Sequence, residues 1–344
     1  MNKNIYNLLL ESKKLYTDKE ISDFLNVNQN TVKRWILKKD VPFQYYFDFA
    51  RMLQIEVDYS NFSSREKDQF FTKKETVNLC YEIIKDQFKK LELNLEEYNF
   101  IEPSAGNGAF LKPLPQDKTI ALDIEPQGKN ILKQDFLLWS PENKQKNIVI
   151  GNPPFGLRGH TALKFINHSA NFADFVCFIL PQFFESTGKG NPKDRVKGFN
   201  LIYSQKINPE FYYPEGQETN VNVVFQIWSK NHKLEEEQIN LRSDIKLYSL
   251  SDGGTPSSTR NKSFLNICDY YIPSTCFGIE KMKVYYSFEE LPNRKGYGIL
   301  LENKDYLLKK NIENIDWSKI AFVSTNGAYN LRFDLIKKAI FNIL

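Results

Sequence analysis

The 344-residue chain is poor in metal-ligating side chains, with only three histidines and four cysteines. His160, His168 and His232 do not cluster with Cys80, Cys177, Cys268 or Cys276, and the cysteines lack the paired spacing of a zinc site. No metal is expected, and the cysteines are expected as free thiols in a reducing, cytoplasmic setting. Long apolar runs are also missing. The longest, Phe172 to Phe184, is interrupted by Asp174 and Pro181 and is too short to span a bilayer, so no membrane partner is expected. The first residues, Met1-Asn2-Lys3-Asn4, carry no apolar signal core. No internal repeat is present. Charge of one sign is scarce too. A net charge of +4 permits a polyanionic partner without demanding one.

What the chain does have is aromatics. They make up 14% of it, with 27 Phe and 18 Tyr, enough for packed cores with rings to spare for stacking on bases. Its length suits two or three domains.

In residues 1–60, Thr17-Asp18-Lys19-Glu20 reads as a capping box, followed at helical spacing by Ile21, Phe24 and Leu25. Asn26-Val27-Asn28 breaks the pattern. Gln29 opens a second helix with Val32, Trp35 and Ile36 on its apolar side and Lys33, Arg34, Lys38 and Lys39 as positive charge. The pattern reads as a helix-turn-helix, with Gln29, Asn30, Thr31, Lys33 and Arg34 suited to base edges or phosphates of double-stranded DNA. A helical hairpin used only for packing is the other reading. Phe43 to Val57 has the spacing of one further helix.

Residues 61–232 carry punctuated motifs. Tyr98 to Ile101 reads as a strand running into Glu102-Pro103-Ser104-Ala105-Gly106-Asn107-Gly108. Small residues let the backbone pass close to a ligand, and the glycines permit positive φ. A phosphate loop would offer a lysine. This loop opens with the Glu102 carboxylate, which suits a cation. Lys118 to Leu122 reads as the next strand, ending at Asp123, a carboxylate able to accept from two ribose hydroxyls. Gln134-Asp135-Phe136-Leu137 follows. Asn147 to Ile150 is a third apolar strand, and Gly151 links it to Asn152-Pro153-Pro154-Phe155. A helix over Thr161–Ile166, a buried strand over Phe175–Pro181 and a late strand over Thr219–Trp228 complete the pattern. His160 and His168 are expected as ordinary surface or packing residues.

These motifs, in this order, resemble the S-adenosylmethionine-dependent adenine-N6 DNA methyltransferases. The resemblance implies a Rossmann-like class I methyltransferase fold with a mixed seven-stranded sheet. It implies that the aromatic-aromatic-Thr stretch Phe70-Phe71-Thr72 helps hold the methionine end of the cofactor, through Phe70 and Thr72. It assigns the ribose to Asp123, with Glu125 second, and the adenine to Ile124, Asp135 and Phe136, with Phe165 nearby. Asn152 and the Pro153 carbonyl would accept the two amino hydrogens of a flipped adenine, and Phe155 would stack on it.

Residues 233–344 begin with a charged linker, Leu234 to Gln238. Short β-like runs, a loop from Ser251 to Lys262 that includes Arg260, and a closing helix from Asp334 follow. By position this segment is expected as an α+β target-recognition domain. A second basic loop, Gly188 to Arg195, either touches DNA or is solvated. The enzyme would belong to a restriction–modification system, with any restriction endonuclease on another chain, or act alone. The rival readings are amino-methylation of RNA or of a protein glutamine, N4-cytosine DNA methylation, and a DNA-binding regulator with an inactive methyltransferase body.

Overall fold

The computed structural model describes residues 4–142, 145–185, 191–208, 210–219, 221–233, 241–255, 258–324 and 327–343. The charged stretch at 234–238 and the start of the basic loop at 188–190 lie outside them. The chain divides into two compact units, residues 1–179 with 209–220, and residues 180–208 with 221–344.

The first unit opens with helices α1 (Ile5–Leu15), α2 (Asp18–Phe24), α3 (Gln29–Lys38) and α4 (Tyr46–Met52). The expected capping box is formed: the Thr17 hydroxyl accepts from the Glu20 amide, and the Glu20 carboxylate accepts from the Thr17 amide. The turn after α2 comes from Asn26, whose φ of 51° is tolerated by a short polar side chain. It lets the Val27 amide return to the Ser22 carbonyl and close the helix end. Ile21, Leu25, Val32, Trp35, Phe49 and Leu9 form the core of this bundle. The helix expected over 43–57 is shorter than its apolar spacing suggested. A 3-10 turn at Phe43–Tyr45 precedes α4, and Gln54 turns left-handed so that the Ile55 amide bonds back to Ala50.

The catalytic-type motifs lie on the expected mixed seven-stranded sheet. Its strands are β2 (Asn99–Glu102), β3 (Thr119–Asp123), β4 (Leu132–Lys133), β5 (Asn147–Gly151), β6 (Phe175–Pro181), β7 (Asn200–Ile207) and β10 (Val223–Ser229), in the order β4-β3-β2-β5-β6-β10-β7. β4 through β6 in that order are parallel, whereas β10 and β7 pair antiparallel. β5 and β6 are buried on both faces, as continuous apolar runs in a parallel sheet require. Helix α5 (Lys74–Lys90) precedes β2, and α6 (His160–Ser169) carries the chain from β5 to β6. The late strand expected over 219–228 is two elements. β9 (Glu218–Thr219) belongs to a small sheet with β1 (Phe71–Thr72) and β8 (Phe211–Tyr212), and only β10 joins the large sheet.

The second unit also holds two small antiparallel sheets. One is β11 (Ile245–Ser251), β14 (Lys295–Leu301) and β12 (Tyr270–Pro273); the other is β13 (Thr275–Cys276), β16 (Tyr329–Asn330) and β15 (Phe322–Val323). With α7 (Tyr306–Glu313), α8 (Trp317–Ile320) and α9 (Phe333–Phe341) they enclose a core of Ile272, Ile299, Trp317, Leu331 and Ile336.

Candidate functional site

The parallel strands end together on named side chains: β2 at Glu102, β3 at Asp123 and β5 at Gly151, one residue before Asn152. β2 is flanked by β3 on one side and β5 on the other, so the chain winds in both directions from it. A crevice at the carboxyl ends of the strands at such a switch point is where open α/β sheets bind ligands.

Glu102 is 1% exposed, and among the described residues neither carboxylate oxygen has a hydrogen-bond partner. Burial pushes its pKa well above the usual carboxylate value. The Ser104 amide opposes this without meeting hydrogen-bond geometry, and the negative charge of Asp123 adds to it. The carboxylate lies directly against Gly151, where a Cβ would overlap its oxygens and where φ is 151°. A buried anion with no partner is costly, so without a cation beside it the neutral carboxyl is favoured.

The loop after β2 turns tightly. Gly106, at φ 52°, has no room for a side chain against the Phe71 ring, and its amide donates to Asp123 at 2.7 Å. The other Asp123 oxygen accepts from the Glu125 amide at 2.7 Å. Burial raises the Asp123 pKa against those two amides. Each carboxylate oxygen retains a lone pair for a further donor. Glu125, the second choice for a ribose, is paired with Lys67. Pro103 and Ala105 are buried, whereas Ser104, Gly108 and Ile124 are half-buried. Asp135 is more committed than expected. It accepts from Arg51 Nε at 2.7 Å and from the Leu137 amide at 2.9 Å, so an adenine amino group would share it with both. Phe136 is buried, with its ring 5.1 Å from that of Phe165.

The Asn152-Pro153-Pro154-Phe155 loop is held from several sides. The Asn152 Nδ2 donates to Thr72 Oγ1 at 3.2 Å, and the Asn152 carbonyl accepts from Ser104 Oγ at 3.3 Å. The Phe155 carbonyl accepts from the Thr161 and Ala162 amides of α6. Pro153 and Phe155 are buried, and Pro154 is half-buried. The Phe155 ring meets Phe70 edge-on at 5.1 Å. Asn152 Oδ1 is buried and accepts from nothing among the described residues. Thr72, expected beside the cofactor, thus also touches Asn152.

Gln29, Asn30, Lys33 and Arg34 lie exposed on α3, and Thr31 is half-buried. They belong to the first unit, as does the crevice. Arg260 and Lys262 lie exposed in the second unit, where Arg260 pairs its backbone with Ser251. Among the described residues, no three His, Cys, Asp or Glu side chains gather as a metal site, and no helix is long and apolar enough to cross a membrane. The four cysteines are buried and unbridged.

One cluster carried no signal along the chain. Asp48 of α4 is buried and meets His160 Nε2 at 2.6 Å, Lys164 Nζ at 2.8 Å and Arg51 at 3.1 Å, and Arg51 continues to Asp135. His160 is therefore buried against Asp48, the packing position of the two alternatives expected. Burial alone would raise the Asp48 carboxyl, but Lys164 and His160 hold it far below the usual range. Burial draws the Lys164 ammonium down against the pull of Asp48.

Solved structures with a similar chain path are distant. A proposed RNA methyltransferase from Pyrococcus horikoshii is 17% identical, with a TM-score of 0.36 over 47% of this chain and 86% of that one. A protein from Thermoplasma acidophilum is also 17% identical, with a TM-score of 0.34 over 47% and 89%. Magnesium protoporphyrin IX methyltransferase from Synechocystis, solved with S-adenosylmethionine bound, is 14% identical, with a TM-score of 0.31 over 45% and 79%. No family model and no curated protein matches the chain.

Proposed function

We propose that the chain is an S-adenosylmethionine-dependent methyltransferase that modifies the N6 amino group of adenine in double-stranded DNA. The observation that carries this reading is the Asn152 side chain, whose Oδ1 is buried without a donor among the described residues while its Nδ2 is tied to Thr72. A buried acceptor is left unpaired at a cost, and a substrate N–H removes that cost.

The exocyclic nitrogen of adenine is a poor nucleophile because its lone pair is delocalised into the ring. Asn152 Oδ1 accepts one amino hydrogen, and the Pro153 carbonyl takes the other. Together they localise the lone pair and aim it. The successive prolines restrict φ and remove donors, which keeps that carbonyl in a defined direction. Phe155, buried against Phe70, would stack on the extruded base once the base enters the crevice. S-adenosylmethionine, when bound, supplies an electrophilic methyl group on a sulfonium. Unpaired Glu102 fits its positive charge, and Asp123 at the end of β3 fits the ribose. The N–CH3 bond would form as the sulfonium S–CH3 bond breaks, leaving a neutral thioether, and the nitrogen would shed one proton to solvent. The contribution of the protein is chiefly positioning.

DNA as the substrate rests on the exposed Gln29, Asn30, Lys33 and Arg34 of α3, read as the second helix of a helix-turn-helix in residues 1–60. Residues 61–232 are the proposed methyltransferase domain. Residues 233–344, with Arg260 and Lys262, are the proposed target-recognition domain. The test is methyl transfer from labelled S-adenosylmethionine to unmethylated duplex DNA, followed by nucleoside analysis. N6-methyladenine is expected. Label in RNA or in protein glutamine, with none in DNA, would replace the DNA reading.

A further inference from the structure

The segment just before β1 touches the Asn152 loop a second time. The Asp68 carboxylate accepts from the Gly156 amide at 2.7 Å, and the neighbouring Phe155 amide favours its charge without meeting hydrogen-bond geometry. These are the two peptide units that close the Asn152-Pro153-Pro154-Phe155 turn. Asp68 itself stands at φ 54°, an uncommon conformation for a residue other than glycine. It is set there by a local turn in which its amide bonds to the Arg65 carbonyl and the Gln69 amide to the Ser64 carbonyl. Gly156 also has a left-handed φ, of 68°, and a Cβ there would overlap Thr161. The loop must therefore bend sharply between Phe155 and α6. Prolines at 153 and 154 have no N–H, so the amides of Phe155 and Gly156 are the first beyond Asn152 that can be held.

We propose that Asp68 is a positioning residue for methyl transfer: its carboxylate pins the Phe155–Gly156 peptide and so fixes both the Phe155 ring and the direction of the Pro153 carbonyl. The inference rests on reading Asn152-Pro153-Pro154-Phe155 as the catalytic loop. Thr72 then orients the Asn152 side chain while Asp68, four positions earlier, sets the backbone behind it. The pairing of Phe71–Thr72 with Phe211–Tyr212 in β8 anchors this clamp in the first unit. Burial raises the Asp68 pKa against the opposing pull of the Gly156 and Phe155 amides.

Two variants separate the carboxylate from the backbone bend. Asp68→Gly suits the left-handed φ and removes the acceptor. Asp68→Asn keeps one acceptor oxygen and tolerates the same φ. Three readouts are compared with the unaltered protein: amide hydrogen exchange of a peptide spanning Phe155 and Gly156, S-adenosylmethionine affinity by calorimetry, and kcat and KM for methyl transfer to duplex DNA. For Asp68→Gly, exchange at those amides is expected to rise roughly tenfold or more, as loss of a charge-assisted hydrogen bond implies. Its kcat is expected to fall about a hundredfold, the scale of a misplacement of about 1 Å, with KM and cofactor affinity within about threefold. Asp68→Asn is expected to recover most of both losses. Unchanged exchange and unchanged kcat in Asp68→Gly would overturn the proposal, and so would an equal fall in cofactor affinity and kcat. If the unaltered protein transfers no methyl to DNA, the proposed function fails, and the exchange arm still decides whether Asp68 holds the loop.

Discussion

Replacing Glu102 by glutamine keeps the size of the side chain and removes its charge. At 1% exposure, with both oxygens unpartnered, the ionised carboxylate is a liability to the ligand-free protein. A buried unsatisfied polar group costs roughly 1–3 kcal/mol, and more if charged. The amide bears part of that cost, so Glu102→Gln should gain on the order of 1 kcal/mol at pH 8 without ligand. The sign in pH follows from the raised pKa. The folded state holds a proton that the unfolded chain has lost above its ordinary value of 4.5. Stability of the unaltered protein therefore falls as pH rises from that value until the folded pKa is passed. The variant lacks this slope, and the two should coincide below pH 4. With S-adenosylmethionine the order reverses. Truncating one side of a buried charge pair costs about 2–5 kcal/mol, so affinity should drop roughly thirtyfold to several thousandfold. Melting curves from pH 4 to 9, with and without ligand, together with calorimetry, test both halves. Calorimetry should also show the unaltered protein releasing a proton on binding below the raised pKa, and the variant releasing none. Parallel pH profiles together with equal affinities would refute the reasoning.

Asp48→Ala strands Lys164 in a buried site, leaving Arg51 only Asp135, and should destabilise the first unit by roughly 3–5 kcal/mol in denaturant titrations; a loss under about 1 kcal/mol would contradict the ion-pair account. The Asp48 pKa is depressed, so its contribution is present above 3.8, the ordinary value, and fades as pH falls below it. Lys33→Ala with Arg34→Ala should weaken DNA binding and lower the slope of log affinity against log salt by about 1.8 if each residue meets a phosphate; an unchanged slope would remove α3 from the DNA interface.

The candidate site was legible wherever chemistry and local conformation coincide in a few adjacent residues. Asn152-Pro153-Pro154-Phe155 follows an apolar strand whose burial on both faces is written in its composition. Glu102 heads a turn that Gly106 alone allows beside Phe71. The capping box of α2 is likewise a local statement. What escaped depends on distance along the chain. Asp48 and His160 are 112 positions apart, and neither has a neighbour that announces the other. Asp68 lies 88 positions from Gly156, and the carboxylate of an isolated Asp in a polar stretch has no pattern to distinguish it. The helix expected to run to Val57 stopped early because Gln54 adopts a left-handed φ that apolar spacing does not encode. The β1-β8-β9 sheet was missed because two-residue strands have no periodicity to read.

The central claim is that Asn152 Oδ1 accepts from the amino group that becomes methylated. The most direct measurement sets the unaltered protein beside Asn152→Ala, with labelled S-adenosylmethionine and unmethylated duplex DNA, and resolves the nucleosides by mass spectrometry. The account predicts N6-methyladenine from the first. From the second it predicts retained cofactor binding with transfer reduced by about a hundredfold or more, the scale seen when one preorganised hydrogen-bonding group is lost from an active site. Near-normal N6-methyladenine formation by Asn152→Ala would contradict it.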